Sequence, residues 1–360
     1  MKNISFNVLL APYRLDFFNY LYKHYNCAIY FEQKGFTGQL FSSDKLVKEC
    51  LYQPQYLKTK KIGHRNWVTN ITSIIKKHNP NTIFVSEFSL TTIQVILYKF
   101  LYRKSFKIVS ICDDSYDILQ GNGFSKMHHY ARKLLMPFIN EIILVDKKAV
   151  DWYQRKYHKG IWMPIIRDEN KLLPIFQSVG QKAQKIKEQY KGKKILLFVG
   201  RLIDVKNIPL LFQAYKVVQK DYELCIVGDG EKKKELQQLC TDLQINVHFI
   251  GQQEGENLYC WYKAADIFVL PSYKEAFGAV VNEALLAGCN CIVSEHAGSS
   301  CLIHNGVNGY IFNPYSTEDL VQCIKKCETN LSNTTTSKMT VSFVERMDNL
   351  IQQLNNLSNK

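Results

Sequence analysis

No stretch of this 360-residue chain is apolar for the ~18 residues that a membrane span requires. The first residues, Met1-Lys-Asn-Ile-Ser-Phe-Asn-Val-Leu-Leu-Ala11, hold an apolar core too short and too polar for a secretory signal, and read as a first β-strand. The 11 cysteines include no Cys-x-x-Cys pair, so the usual sequence sign of a bound metal is missing. With no export signal they read as reduced thiols, and Cys225, Cys289 and Cys291 as small core residues. Val227-Gly228-Asp229-Gly230 lacks the third glycine of a dinucleotide fingerprint, which weakens a nicotinamide-enzyme reading. No internal repeat at a solenoid period is present.

Acidic residues are scarce in one half. Residues 1–165 carry 24 Lys+Arg against 11 Asp+Glu, a net of 24 − 11 = +13, while the rest carry 22 against 21, a net of 22 − 21 = +1. A basic first half beside a neutral second half suggests that the first meets something anionic. A membrane surface, a phosphate-bearing acceptor and nucleic acid all qualify, as does a lysine-rich composition kept for solubility. Hydrophobic content of 46% and charged content of 22% are those of a globular protein, and the length suits two domains.

Both halves alternate strand-like and helix-like runs. In the first, the strands are Ser5–Leu10, Cys27–Phe31, Thr82–Ser86, Lys107–Cys112 and Glu141–Val145, with amphipathic stretches at Leu15–Tyr25, Leu90–Tyr102 and His128–Ile139. In the second they are Ile195–Val199, Glu223–Val227, Val247–Ile250, Ile267–Leu270 and Asn290–Ser294, with helices Ile208–Gln219, Glu231–Asp242, Asn257–Ala264 and Ala279–Ala287 between them. Such alternation predicts βαβ units and parallel sheets. The expected fold class is α/β, with two doubly wound Rossmann-like domains facing across a cleft. The expected divisions are 1–166, an interdomain connection at 167–193, 194–338, and a terminal helix at 339–360 that packs across to the first domain. Asn207 is expected to cap the helix that follows it, Pro209 to sit in its first turn, and Thr329–Ser337 to form a polar loop.

Ligands of doubly wound sheets bind at the carboxyl ends of the strands, and the chemistry-bearing residues are sought there. Gly200 and Arg201 follow a strand, and Lys206 lies on the same loop. Two cations there suit a diphosphate, whose departing oxygens gain negative charge as the sugar bond breaks. The sequence contains no Asp-x-Asp, so side-chain cations are the natural substitute for a metal. The alternative is two solvated bases at a helix start, where the helix dipole disfavours them. Glu283 lies in an apolar helix, Ala279 to Gly288, where a carboxylate needs a partner: a ribose diol, or a structural Lys or Arg. Glu275, Phe277 and Gly278 precede that helix, where main-chain N–H groups attract anions and glycine permits close approach. Glu275 is either a contact for sugar hydroxyls or an ordinary first-turn acid. Gly228 marks a tight turn beside the nucleotide. In the first half, Arg14 follows the first strand and Asp113 and Asp114 follow Lys107–Cys112. These read as acceptor-side groups, or, for the aspartates, as turn formers. Tyr98–Lys107 interleaves aromatics with cations, as a headgroup layer would require, though an amphipathic helix end fits equally.

With these residues in place, residues 194–314 resemble the donor domain of the family-4 retaining glycosyltransferases of the GT-B fold. The resemblance rests on Val199-Gly-Arg-Leu202 with Lys206-Asn207, Ile226-Val-Gly-Asp-Gly230, Ala264-Ala-Asp-Ile-Phe-Val-Leu-Pro-Ser272, Asn305-Gly-Val-Asn-Gly309 and a Glu-x7-Glu motif from Glu275 to Glu283. It implies that Arg201 and Lys206 bind the diphosphate, Glu283 the ribose, and that Glu275 lies by the donor sugar. The first half resembles the family mainly in Ala11-Pro-Tyr-Arg-Leu-Asp-Phe-Phe-Asn19. Two departures bear on sugar identity: Cys112-Asp113-Asp114 stands where the family often has a His, and Ser299-Ser300-Cys301 where a Glu is usual.

The combined expectation is a retaining, metal-independent enzyme that moves a sugar from a UDP- or GDP-sugar to a glycan or polyprenyl-diphosphate-linked acceptor in cell-surface polysaccharide synthesis. Arg201, Lys206, Glu275 and Asp113 are its expected catalytic residues, and no cofactor or metal is expected. An anionic membrane surface is the expected further partner, nucleic acid is not, and the expected location is cytoplasmic, peripheral at the inner membrane face. A catalytically silent sugar-nucleotide binder and a nucleotide-sugar epimerase of the same fold stay open at this point.

Overall fold

The computed structural model describes residues 2–35, 43–120, 126–330 and 336–357. The chain divides into two compact units, Met1–Pro164 with Val344–Lys360, and Ile165–Phe343.

The first unit contains β1 (Asn3–Asn7), β2 (Cys27–Phe31), β3 (Gln55–Tyr56), β4 (Thr59–Ile62), β5 (Arg65–Val68), β6 (Thr82–Ser86), β7 (Lys107–Cys112), β8 (Glu141–Leu144) and β9 (Ile161–Trp162). Seven of them form a parallel sheet in the order β3-β2-β1-β6-β7-β8-β9, and β4 and β5 form a separate antiparallel ribbon. β1 and β2 are buried at every position, as a sheet covered on both faces demands. β1 begins two residues before the Ser5 start expected from hydrophobicity. Asn3 is buried there because its amide donates to the Tyr25 carbonyl (2.6 Å) and accepts from the Thr82 N–H (3.2 Å). The helix Phe343–Leu357 joins this unit from Val344 onward. Its Arg346 stacks over the Trp162 ring at 4.6 Å, and Tyr20 donates to Asp348.

The second unit contains β10 (Lys194–Val199), β11 (Tyr222–Val227), β12 (Val247–Gly251), β13 (Ile267–Leu270), β14 (Asn290–Ser294) and β15 (Gly309–Phe312), all parallel in the order β12-β11-β10-β13-β14-β15. The lysine-rich stretch 167–193 holds two helices, Glu169–Ser178 and Gly180–Glu188, and the second packs on the helix Gly255–Ala264. Leu172, Phe176 and Ala183 are buried, Asp168 accepts from the Asn170 N–H at the first helix's start, and Pro174 lies inside that helix. Polar composition hid this pair because only one narrow face of each is apolar.

Asn207 departs from its expected capping role. It adopts a left-handed conformation (φ 52°), which asparagine tolerates, and its side chain donates to the Pro314 carbonyl at 2.8 Å instead of capping the helix Ile208–Val218. Of the expected loop Thr329–Ser337, Thr329 and Asn330 extend the helix Thr317–Asn330, and 331–335 lie outside the described residues. Among the described residues no helix is long and apolar enough to cross a membrane.

Candidate active site

Strand order locates the site in each sheet. In the second unit the connections run outward on opposite sides of β10 and β13, so the loops after these neighbouring strands diverge and leave a crevice at their carboxyl ends. Gly200, Arg201 and Lys206 follow β10, Gly228 follows β11, and Glu275, Phe277 and Gly278 follow β13. Seven residues expected from widely separated motifs thus share one sheet edge.

Main-chain contact sets their spacing. The Gly200 N–H donates to the Val227 carbonyl (3.0 Å) and the Leu202 N–H to the Asp229 carbonyl (2.9 Å). A Cβ at Gly228 would lie 1.9 Å from the Gly200 carbonyl oxygen, so only glycine lets these loops meet. Arg201 is exposed, and among the described residues no ion pair engages its guanidinium. Lys206 forms an ion pair with Glu275, both side chains being mostly buried. Sequence reasoning gave these two residues separate tasks, but the structure couples the cation of one loop to the carboxylate of the other. The Tyr273 N–H donates to the Val205 carbonyl (2.9 Å) and ties the same loops a second time.

Gly278 has φ 91°, and a Cβ there would meet the Leu270 side chain at 2.6 Å and the Ser299 hydroxyl at 3.0 Å. The Ser299 N–H donates to the Phe277 carbonyl at 2.7 Å. Phe277 itself is buried in the core, so any ligand contact it makes is confined to its main chain. Ser299, where a glutamate was noted as missing, is therefore a buried support beneath the Glu275–Gly278 loop.

Glu283 lies one turn into the helix Val280–Ala287, its neighbours Asn282 and Ala284 buried. Its Oε1 is 3.6 Å from Arg167 Nη1, and the Asn282 side chain accepts from the Arg167 N–H at 2.8 Å. The structural partner held open by the sequence is thus present, and Arg167 is a residue that sequence reading missed. It lies in the composition-poor stretch before the helices, where no motif marks it. Burial first, and then the negative charge of Glu283, push the Tyr262 phenol well above its ordinary range.

In the first unit the connections diverge between β1 and β6. The loops after β1, β6 and β7 bring Arg14, Glu87, Asp113 and Asp114 to one edge. Arg14 is buried, forms an ion pair with Asp113 and lies over the Phe17 ring at 5.3 Å. Arg14, expected on the acceptor side, thus has its charge engaged by a neighbouring carboxylate. Asp114 is also buried, 3.7 Å from Arg132 and 4.0 Å from His128, and it accepts from the Tyr153 hydroxyl at 3.4 Å. It organises a buried network, whereas Asp113 keeps the more accessible carboxylate. Burial, opposed first by a hydrogen bond with the Cys112 thiol and then by the His128 and Arg132 charges, pushes the Asp114 carboxyl up.

Glu87, absent from the sequence-based set, lies at the same edge. Burial, then Asp114 and Asp113, push its carboxyl up to about 7. Its φ of 50° is unusual for a non-glycine residue. Its place directly after the Thr82–Ser86 strand was the only available signal.

Residues 180–339 match the family model of glycosyl transferases group 1. That segment is similar to the group 1 glycosyltransferases. The matched segment contains Gly200, Arg201, Lys206, Gly228, Glu275, Phe277, Gly278 and Glu283, whereas Arg167 precedes it. Over 132 residues the chain is 36% identical to an uncharacterized glycosyltransferase of Methanocaldococcus jannaschii, covering 36% of this chain and 34% of that protein. It is 26% identical over 250 residues to a second uncharacterized glycosyltransferase of that organism, covering 66% of this chain and 63% of the relative. The chain thus matches less than two thirds of either relative's length. Over 146 residues it is 30% identical to a lipopolysaccharide 1,2-N-acetylglucosaminetransferase of Salmonella typhimurium, covering 37% of this chain and 38% of that one. Both units together share the GT-B fold with Anabaena HepE crystallised with UDP, at a TM-score of 0.79 and 18% identity, covering 99% of this chain and 100% of that one.

Proposed function

We propose that this protein is a retaining, metal-independent glycosyltransferase that moves a sugar from a nucleotide diphosphate to a glycan or polyprenyl-diphosphate-linked acceptor, at the cytoplasmic face of an anionic membrane. One observation carries the reading: the exposed Arg201 and the Lys206–Glu275 pair emerge at the switch point of the donor sheet. UDP is the proposed carrier, since HepE was crystallised with UDP and with UDP-glucose.

In the proposed reaction the bond between the sugar's anomeric carbon and the diphosphate breaks. The acceptor oxygen forms its bond to that carbon on the same face, and its proton passes to the departing phosphate oxygen. Arg201 and Lys206 stabilise the charge that gathers on the diphosphate. Glu275 holds Lys206 in place and receives sugar hydroxyls, while Glu283, steadied by Arg167, receives the ribose diol. The +13 charge of residues 1–165 suits a phosphate-bearing acceptor (24 − 11).

A panel of nucleotide sugars screened for thermal stabilisation identifies the donor, because a ligand of the native state raises its melting point. Arg201→Ala should then lower turnover by about 10²–10³-fold, the usual cost of removing a group that stabilises developing charge. Wild-type turnover in that variant, or strict dependence on Mg²⁺ after EDTA treatment, would overturn the assignment. Conversion of the donor without added acceptor would replace transfer by epimerisation.

A further inference from the structure

The helix Lys126–Leu135 is built inside out. It buries Arg132 (2% exposed), which lies over the Trp152 ring at 5.3 Å, and exposes Leu134 (67%). Met127, Tyr130 and Leu134, spaced three and four residues apart, are exposed together, and Phe138 continues the row one turn on. At Phe138 a second helix joins. The Phe100 ring meets the Phe138 ring edge-on, with centroids 5.4 Å apart. Phe100, Leu97 and Leu101 are themselves exposed on the helix Leu90–Leu101, Leu101 to 76%. Tyr98, counted in sequence among the interleaved aromatics, is buried and takes no part. Isolated exposed apolar residues are ordinary, but a row on one helix joined to a cluster on another marks an interaction site.

Charge selects the partner. Residues 88–112 and 118–140 contain no aspartate or glutamate. Arg103, Lys104 and Lys133 are exposed in these segments, and Lys76 lies over the Tyr102 ring at 4.9 Å. Apolar side chains surrounded by cations match the acyl boundary and headgroups of an anionic bilayer. A two-fold contact between copies would set this same positive rim against itself. We propose that the Leu97–Leu101 and Met127–Phe138 surface inserts into the interface of an anionic lipid bilayer. The proposal deepens the membrane-face element of the functional reading and rests on it only for its setting, since vesicle binding is read without donor or acceptor.

The test is co-sedimentation of the full chain with phosphatidylglycerol and phosphatidylcholine vesicles. Phosphatidylglycerol should bind the wild type. Leu101→Ser with Leu134→Ser should weaken binding by about tenfold or more even at low salt, as expected for losing two inserted leucines. Lys104→Gln with Lys133→Gln should weaken it by about fivefold per charge at low salt. Unchanged melting points and nucleotide-sugar stabilisation would show that both variants fold and keep the donor site. Loss of donor stabilisation in the wild type would count against the catalytic reading alone. Wild-type binding by the leucine variant would reveal adsorption by charge only and overturn insertion. So would absence of vesicle binding, or a dimer in solution that Leu134→Ser dissociates.

Discussion

Removing the charge of Glu87 should make the first unit more stable near neutral pH and leave it unchanged in acid. Its carboxyl is pushed from an ordinary 4.5 up to about 7, chiefly by burial and then by Asp114 and Asp113. A raised carboxylate constant means that the folded state resists ionisation. Below pH 4.5 both folded and unfolded chains hold the proton, and no penalty exists. Between 4.5 and 7 the unfolded chain ionises first, so stability falls as pH rises, and above about 7 the loss levels off. The difference, 7 − 4.5 = 2.5 pH units, corresponds to about 3 kcal/mol at ~1.4 kcal/mol per unit. Glu87→Gln keeps the shape and removes the charge, so its advantage over wild type should grow from nothing at pH 4 to about that value at pH 8. Urea unfolding followed by tryptophan fluorescence suits the measurement, because Trp67, Trp152 and Trp162 lie in the first unit and only Trp261 in the second. With slopes of about 1–3 kcal/mol per molar, the midpoint should move by roughly 1 M or more at pH 8. Parallel curves for both proteins from pH 4 to 8 would refute the reasoning.

Gly228→Ala should destabilise the second unit by about 1–3 kcal/mol or more, since its Cβ would lie 1.9 Å from the Gly200 carbonyl oxygen. It should also weaken nucleotide-sugar binding, because relief requires moving the strand end that carries Arg201; calorimetric titration separates the two effects. A double-mutant cycle of Lys206→Met and Glu275→Gln should give a coupling of about 0.5–3 kcal/mol in stability. Additive losses would show that the pair is not coupled. Asp146→Ala should cost about 0.5–2 kcal/mol, because Asp146 caps the helix Lys147–Tyr157 by accepting from the Lys148 N–H and also accepts from the Tyr116 N–H. Thermal melting at pH 7 checks it.

The sequence by itself determined the repeating strand and helix order, because strands buried on both faces read as short apolar runs bounded by glycine and polar turns. It also picked out residues that gather at the second sheet's edge, since Arg201, Lys206 and Glu275, with Glu283 in the helix beyond, lie in short motifs whose residue types answer local needs: a strand end, a helix start, a glycine where backbones touch. Tertiary structure alone decided which charges neutralise one another. Lys206 meets Glu275 across 69 positions and Arg14 meets Asp113 across 99, distances over which no periodicity or local pattern carries information. For the same reason Arg167 and Glu87 went unseen: each gains its character from partners that the chain brings near only after both sheets have formed. The exposed Met127, Tyr130 and Leu134 of the Lys126–Leu135 helix escaped notice too, because an apolar residue looks the same in sequence whether its neighbours bury it or leave it uncovered.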